Sequence, residues 1–275
     1  MTGRWRHHAF AYAVAVPFAI VLAFPFFWMA VTSFKPEAQV YDPTKVWTFH
    51  PTLANYGFLF HHTGYLRWLR NSTFVGIMVV LITLAVAIPA GYALARLSGR
   101  VGRSLGVAIF LTYLVPPTLL FLPLSRVVSK LGLSDRLWAL ILVYPSFTIP
   151  FAIWLLMGFF KAIPQELEDA ALVDGCSRLG ALVRIILPMS LPALAVVAFF
   201  SFTQAWNEFL YANVFVNSVD VRTVTTGLTL FIVEDVFFWG PMMGASFLSA
   251  LPPLVLYLVF QRWVVKGLTL GGVKG

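Results

Sequence analysis

A row of polar side chains stands out inside an apolar run. Ser201, Gln204, Glu208 and Tyr211 follow one another at steps of three, four and three, so a helix there sets them on one face. Trp206 and Asn207 lie alongside. Gln204, Asn207 and Glu208 offer hydrogen-bond donors and acceptors, and Trp206 and Tyr211 offer flat aromatic faces. This is the chemistry of holding a polar solute rather than of breaking a bond. An ionisable group in such a helix is costly and faces the protein interior or water. Glu208 therefore has two readings, a group lining a solute path or half of a structural pairing, and the sequence leaves both open. Enzyme motifs are missing: no His-Glu-x-x-His, no Gly-x-Ser-x-Gly, no Gly-x-x-x-x-Gly-Lys-Ser/Thr loop and no Cys/His cluster with metal-ligand spacing. The pairs His7-His8 and His61-His62 are adjacent in sequence and so point apart. The single Cys176 excludes an internal disulfide.

A second polar stretch, Glu168 to Pro188, interrupts the apolar chain. Pro164 can open a helix without losing a needed N–H. Glu166, Glu168 and Asp169 then fall in its first turns, where carboxylates suit the helix dipole. Ala170, Ala171, Leu172 and Val173 continue it, and Gly175 after Asp174 allows a left-handed turn. A second helix starts near Ser177 and runs to Leu187. Pro188 closes it and opens the next apolar span. The expectation is helix, tight turn, helix, held at a membrane surface. An ordinary amphipathic loop between two membrane helices satisfies the same residues.

The spacing of this stretch resembles the EAA loop of bacterial ABC-importer permeases. Asp169-Ala170-Ala171, Gly175, Ile185, Leu187 and Pro188 match it position by position. Asp169 replaces the usual Glu, with Glu168 beside it. The resemblance implies that residues 161–188 couple to an ATP-hydrolysing partner, through Glu168, Asp169, Ala170, Ala171, Asp174, Gly175, Ile185, Leu187 and Pro188. Ala205 to Ala212 and the ending Lys266 to Gly275 also resemble the carbohydrate-uptake, MalG-like branch, with Gly272 replacing the usual Ala. That branch implies an all-α, polytopic membrane protein of about six helices with the MetI/MalG-like permease fold. It implies a second MalF-like permease subunit, two ATP-binding subunits and an extracytoplasmic binding protein as partners. ATP and Mg act on those partners, with no cofactor in this chain. The implied substrate is a carbohydrate, a di- or oligosaccharide. A polyol phosphate such as glycerol 3-phosphate is the alternative, and a cation in the path would favour it. A sugar gives sense to Gln204, Trp206, Asn207, Glu208 and Tyr211, although the partner permease can hold the main sugar site.

The elements that must position these residues follow from composition. The 275 residues are 60% hydrophobic and only 11% charged, outside ordinary soluble composition. Apolar bands of about 20 residues recur, enough for a helix to cross a bilayer. They are expected at 9–34, 71–95, 104–124, 137–160, 188–215 and 241–260. The first is too long for a signal-peptide core and is expected to stay attached. Pro116-Pro117 and Pro123 disturb the third span, and Pro145 and Pro150 the fourth. Gly76, Ala85, Ala87, Gly91 and Ala93 permit close packing of the second. Residues 217–239 read as an external loop with a partly inserted helix, because Asp220, Arg222, Glu234 and Asp235 argue against full burial in lipid. The expected organisation is 1–70 (tail, first span, external segment), 71–265 (permease core) and 266–275 (cytoplasmic tail). A modest majority of the 19 Lys and Arg residues then fall inside, which supports cytoplasmic termini without forcing them. The resemblance of the coupling loop implies that orientation, because ATP is cytoplasmic, and with it the cytoplasmic membrane of a bacterial or archaeal cell. The net charge of +8 belongs to this bias and not to nucleic-acid binding.

Overall fold

In the computed structural model the backbone is described for residues 2–97, 99–233 and 236–272. Side chains of 1–11, 98, 100, 234–235 and 264–275 lie outside the described set. Arg4, Arg6, His7, His8, Arg100, Glu234, Asp235, Lys266 and Lys274 are among them.

Helices dominate the chain. Apart from short helical turns at Glu37–Val40, Leu187–Met189 and Val224–Gly227, those among the described residues are α1 (Thr2–Ser33), α2 (Ala54–His62), α3 (Tyr65–Tyr92), α4 (Gly99–Tyr113), α5 (Phe121–Lys130), α6 (Leu137–Val143), α7 (Pro145–Ala162), α8 (Gln165–Val173), α9 (Arg178–Ala181), α10 (Leu191–Asn207), α11 (Leu210–Phe215) and α12 (Trp239–Gly272). Wide π-helical turns follow α3 at Ala93–Leu97 and α9 at Leu182–Ile186. Among the described residues the strands are β1 (Ile232–Val233) and β2 (Val236–Phe237), paired antiparallel. Among the described residues, four helical stretches are long and apolar enough to span a membrane: Tyr12–Ser33, Tyr65–Leu97, Leu137–Ala162 and Trp239–Trp263. Two further pairs qualify together but are sharply bent. Val101–Tyr113 and Pro117–Lys130 meet at 85°, and Arg178–Met189 and Leu191–Asn207 at 79°. Counting each pair as one span gives six.

The breaks sit where the backbone chemistry puts them. Pro116 and Pro117 lack the N–H that would continue α4, and a 3-10 turn Pro117–Leu120 leads into α5. Pro123, Pro145 and Pro150 are instead absorbed within or at the start of helices. The second helix of the polar stretch runs past Leu187 to Met189, so Pro188 does not close it. The turn falls at Ser190, before Pro192 takes a place in the first turn of α10.

Two other expectations change. The second span begins at Tyr65 rather than Asn71, because polar atoms in this stretch have protein partners. Trp68 Nε1 donates to Val219 O at 3.0 Å, and Asn71 Nδ2 donates to Asp220 O and Arg222 O at 2.9 Å each. The described residues of 217–239 hold a helical turn Val224–Gly227, a 3-10 turn Leu228–Phe231 and the paired strands β1 and β2 in place of an inserted helix.

The chain separates into two compact units, Met1–Leu66 with Gly227–Leu251 and Arg67–Thr226 with Pro252–Gly275. In the first, Asn55 Nδ2 donates to Ser33 O and Lys35 O, closing the end of α1 over α2. Lys35 is buried, its Nζ donating to Val46 O at 2.8 Å and lying over the Trp28 and Phe49 rings. That desolvation lowers its pKa.

The second unit holds two apolar clusters. One joins the middle of α3 to α6, the end of α10 and α11 through Val75, Val79, Tyr144, Ala205 and Phe215. The other joins the end of α3 to α7, the second π turn and the start of α10 through Tyr92, Leu156, Phe160, Ile186 and Val197. The loops before α6 and after α11 are clipped together at Asp135, which accepts from Asn217 N at 2.8 Å, Ser218 N at 2.9 Å and the Ser218 hydroxyl. These bonds, the Ser218 hydroxyl first, hold the Asp135 carboxyl below its ordinary pKa. The clip is therefore complete above the usual Asp range and is lost as pH falls through the lowered native value.

Small residues on α3 set how close its neighbours come. A Cβ on Gly91 would stand 3.2 Å from Leu156 Cβ and 3.3 Å from the backbone N of Met157. Backbone cannot move aside as a flexible side chain can, so Gly91→Leu is expected to destabilise the fold by about 1–3 kcal/mol or more. A thermal melt of the detergent-extracted protein, followed by loss of its monodisperse elution peak, checks this. An unshifted melt would mean that α3 and α7 separate freely.

Candidate functional site

The polar stretch folds as helix, turn and helix. Val173 is the last residue of α8, and Gly175 adopts φ +86°. Cys176 N donates to Ala171 O at 2.9 Å and Gly175 N to Leu172 O at 3.1 Å. Together these close the orphan carbonyls of the helix end in a Schellman motif. Ser177 then caps α9, its Oγ accepting from Gly180 N at 3.1 Å.

Consecutive residues of α8 face opposite ways. Glu168 and Ala171 are buried, whereas Asp169, Ala170, Asp174 and Gly175 are exposed. Leu167 and Leu179 are also exposed, and Val173 is 88% exposed. Ile185 and Leu187 are half-buried in the helix that follows, and Pro188 is exposed. The stretch thus presents an outward face of mixed acidic and apolar character and an inward face bonded to its own chain.

Glu168 is the centre of that inward face. Tyr92 donates its hydroxyl to Oε1. Arg96 Nε stands 3.2 Å from Oε2 but off the line of its N–H, so the contact is an ion pair without an aligned hydrogen bond. Arg96 also donates from Nη2 to Ile163 O, the cap of α7, at 2.7 Å. One guanidinium therefore joins the π turn after α3, the end of α7 and α8. The Arg96 and Glu168 side chains are only 7% and 4% exposed, and removing one partner of such a pair costs about 3–5 kcal/mol.

The polar row of the fifth span is broken up. Helix α10 ends at Asn207, and α11 begins at Leu210. The carboxylate of Glu208 holds the break. It accepts from Tyr211 N at 3.0 Å, Ala212 N at 3.1 Å and the Tyr144 hydroxyl at 2.8 Å, and Thr225 Oγ1 donates to the Glu208 carbonyl at 2.9 Å. A carboxylate at a helix N-terminus also suits the dipole. The geometry gives Glu208 structural partners within its own chain.

Trp206 and Tyr211 are buried. Trp206 stacks on Phe202 at 5.3 Å, and the Tyr211 hydroxyl donates to Pro117 O at 2.6 Å. Their rings are occupied by the protein itself. Gln204 and Asn207, one turn apart, are exposed. Ser201 is fully buried, its Oγ without a partner among the described residues.

The family of inner membrane components of binding-protein-dependent transport systems matches residues 87–270, which include the whole polar stretch. This chain belongs to that family. Its relatives span its length. The trehalose/maltose transport system permease protein MalG of Thermococcus litoralis is 36% identical over 269 residues, covering 95% of each chain. The sulfoquinovosyl glycerol transport system permease protein SmoH of Agrobacterium fabrum is 35% identical over 253 residues, 92% of this chain and 89% of that one. The fold is that of a solved chain from a bacterial ABC transporter that imports the acidic polysaccharide alginate, with a TM-score of 0.79 at 21% identity over 96% of this chain and 99% of that one. The chain is thus an ABC-transporter permease subunit, a membrane component and not itself an enzyme.

Within this family fold, Tyr92 and Arg96 are the residues that sequence reasoning missed. In the sequence Arg96 stands with Arg100 and Arg103 in the short basic stretch between the second and third apolar bands, which marks a loop. Its spacing of four from Tyr92 at the end of an apolar run is the signal that was available. Tyr144, the partner of Glu208, left no such trace. Replacing Glu208 by Gln removes the charge that three donors share, and is expected to lower stability by about 1.5–3 kcal/mol. Thermal unfolding of the purified subunit measures this, and an unchanged melting temperature would remove Glu208 from the helix break.

Proposed function

We propose that this permease pairs with a second, MalF-like permease to form the solute path of an ATP-driven importer for a carbohydrate. Two ATP-binding subunits with Mg dock on its cytoplasmic loops, and an extracytoplasmic binding protein delivers the solute. The observation that carries the docking reading is the outward face of α8 and its turn. A side chain as apolar as Val173 is left almost fully exposed at the tip of a polar stretch, beside Asp169 and Ala170, and apolar groups clustered on a polar rim mark protein contact. ATP binding closes the partner subunits on this face, and the displacement of α8 reaches the spans. Both termini lie in the cytoplasm in this arrangement, within a bacterial or archaeal cytoplasmic membrane.

The substrate class rests on the relatives, whose names include trehalose/maltose, diacetylchitobiose and arabinooligosaccharide systems. From this chain the exposed amides of Gln204 and Asn207 supply hydrogen bonds to a sugar. Trp206, Glu208 and Tyr211 shape the helix break that presents them.

Co-expression with the neighbouring genes tests the assembly. A second permease and an ATPase are expected to co-purify, with hydrolysis stimulated by a sugar-loaded binding protein. A stable species without any ATPase would overturn the reading. A Cβ at Gly175 would meet no neighbour within 4 Å, so the main effect of Gly175→Val is the backbone strain of a β-branched residue at positive φ. It is expected to lower uptake while ATP hydrolysis persists. Gln204→Ala and Asn207→Ala are expected to raise the half-saturating sugar concentration several-fold without changing the melting temperature. Unchanged uptake kinetics in both would take this face out of the path.

A further inference from the structure

We infer that the Tyr92–Arg96–Glu168 cluster is the rigid joint that passes movement of α8 to helix α3, with Arg96 and Tyr92 acting as positioning residues. The inference rests on the coupling role proposed for α8 and adds which side chains carry the displacement onward. Its basis is the division of labour between neighbouring residues. Asp169 faces outward, where a partner can reach it, while Glu168 is turned inward and buried. Two groups from one span hold its carboxylate, the Tyr92 hydroxyl at the end of α3 and the Arg96 guanidinium in the π turn that follows. The same guanidinium is anchored to Ile163 O at the end of α7.

A push on the outward face of α8 thus meets a connection that is short, charged and shielded from water. Sliding α8 past α3 would strand a buried carboxylate and a buried guanidinium, which is costly in a low-dielectric setting. Moving α8, the end of α3 and the end of α7 as one body strands neither. The apolar packing around the cluster makes the same demand. Tyr92, Leu94, Phe160, Ile163, Leu182 and Ile186 are buried together. The π turn puts Arg96 where it reaches both Glu168 and the cap of α7, and such wide turns recur at functional sites.

The test uses the complete transporter in proteoliposomes, with sugar uptake and ATP hydrolysis measured on the same preparation. Arg96→Gln is expected to raise ATP hydrolysed per sugar imported by about tenfold, within the usual span of coupling free energies. Tyr92→Phe keeps the ion pair and loses one bond to it, so a smaller rise of about threefold is expected. The reversal Arg96→Glu with Glu168→Arg is expected to recover part of the ratio lost by either change alone, which a role in stability alone would not predict. A ratio equal to that of the parent in Arg96→Gln and Tyr92→Phe would overturn the inference. So would failure of both variants to assemble, because the cluster would then serve folding. Gly175→Val separates this from the underlying reading. If it uncouples while Arg96→Gln does not, only the joint falls. If Gly175→Val also leaves the ratio unchanged, the coupling role of α8 falls with it.

Discussion

A chain that lives in an apolar surrounding must satisfy each backbone polar group from within itself. The interruptions of this fold show how that constraint is met. At the break between α4 and α5, the carbonyl of Pro117 accepts the Tyr211 hydroxyl. At the sharp bend before α10, Ser190 returns its hydroxyl to Ile186 O at 2.7 Å. Between α10 and α11, the Glu208 side chain takes the amides of Tyr211 and Ala212, and Thr225 takes the Glu208 carbonyl. Tyr211 serves two of these breaks at once. The positions of Gln204 and Asn207 depend on this closure, because they occupy the last turn of the helix that Glu208 ends.

The same constraint divides the exposed apolar surface into two kinds. Along α1, Phe18 and Val21 stand outward amid other apolar side chains, as a lipid-facing helix requires. At the polar stretch, Val173 and Leu179 stand outward beside Asp169, Asp174 and Arg178. Lipid does not suit such a mixture, and a protein surface does. On the reverse side of α8, the one buried carboxylate is matched by a guanidinium and a hydroxyl. The loop thereby turns a mixed acidic and apolar face outward and is locked to its own spans on the other.

Much of this was legible in the residues. The recurring apolar bands, the left-handed turn at Gly175 and the start of a helix at Ser177 follow from local chemistry, since propensity, capping and φ preference act over a few residues. The close approach at Gly91 was visible as a permissive small side chain, though not the helix it would meet. Less visible was the fate of the row Ser201, Gln204, Glu208 and Tyr211. Read as one helix they share a face; in the fold the helix stops at Asn207, Tyr211 turns inward, and Glu208 becomes the clasp of the break.

The sequence by itself determined that the chain is helical and membrane-spanning, where its polar stretch turns, and which family's loop spacing it carries. Tertiary structure alone decided which carboxylate faces in. Glu168 and Asp169 are adjacent and carry the same charge, so no local rule separates them. They are told apart by Tyr92, which lies 76 residues from Glu168 in the chain, and by Arg96. Burying a charge is tolerable only beside its counter-charge, and where that partner lies is a property of the packed helices, not of either segment alone.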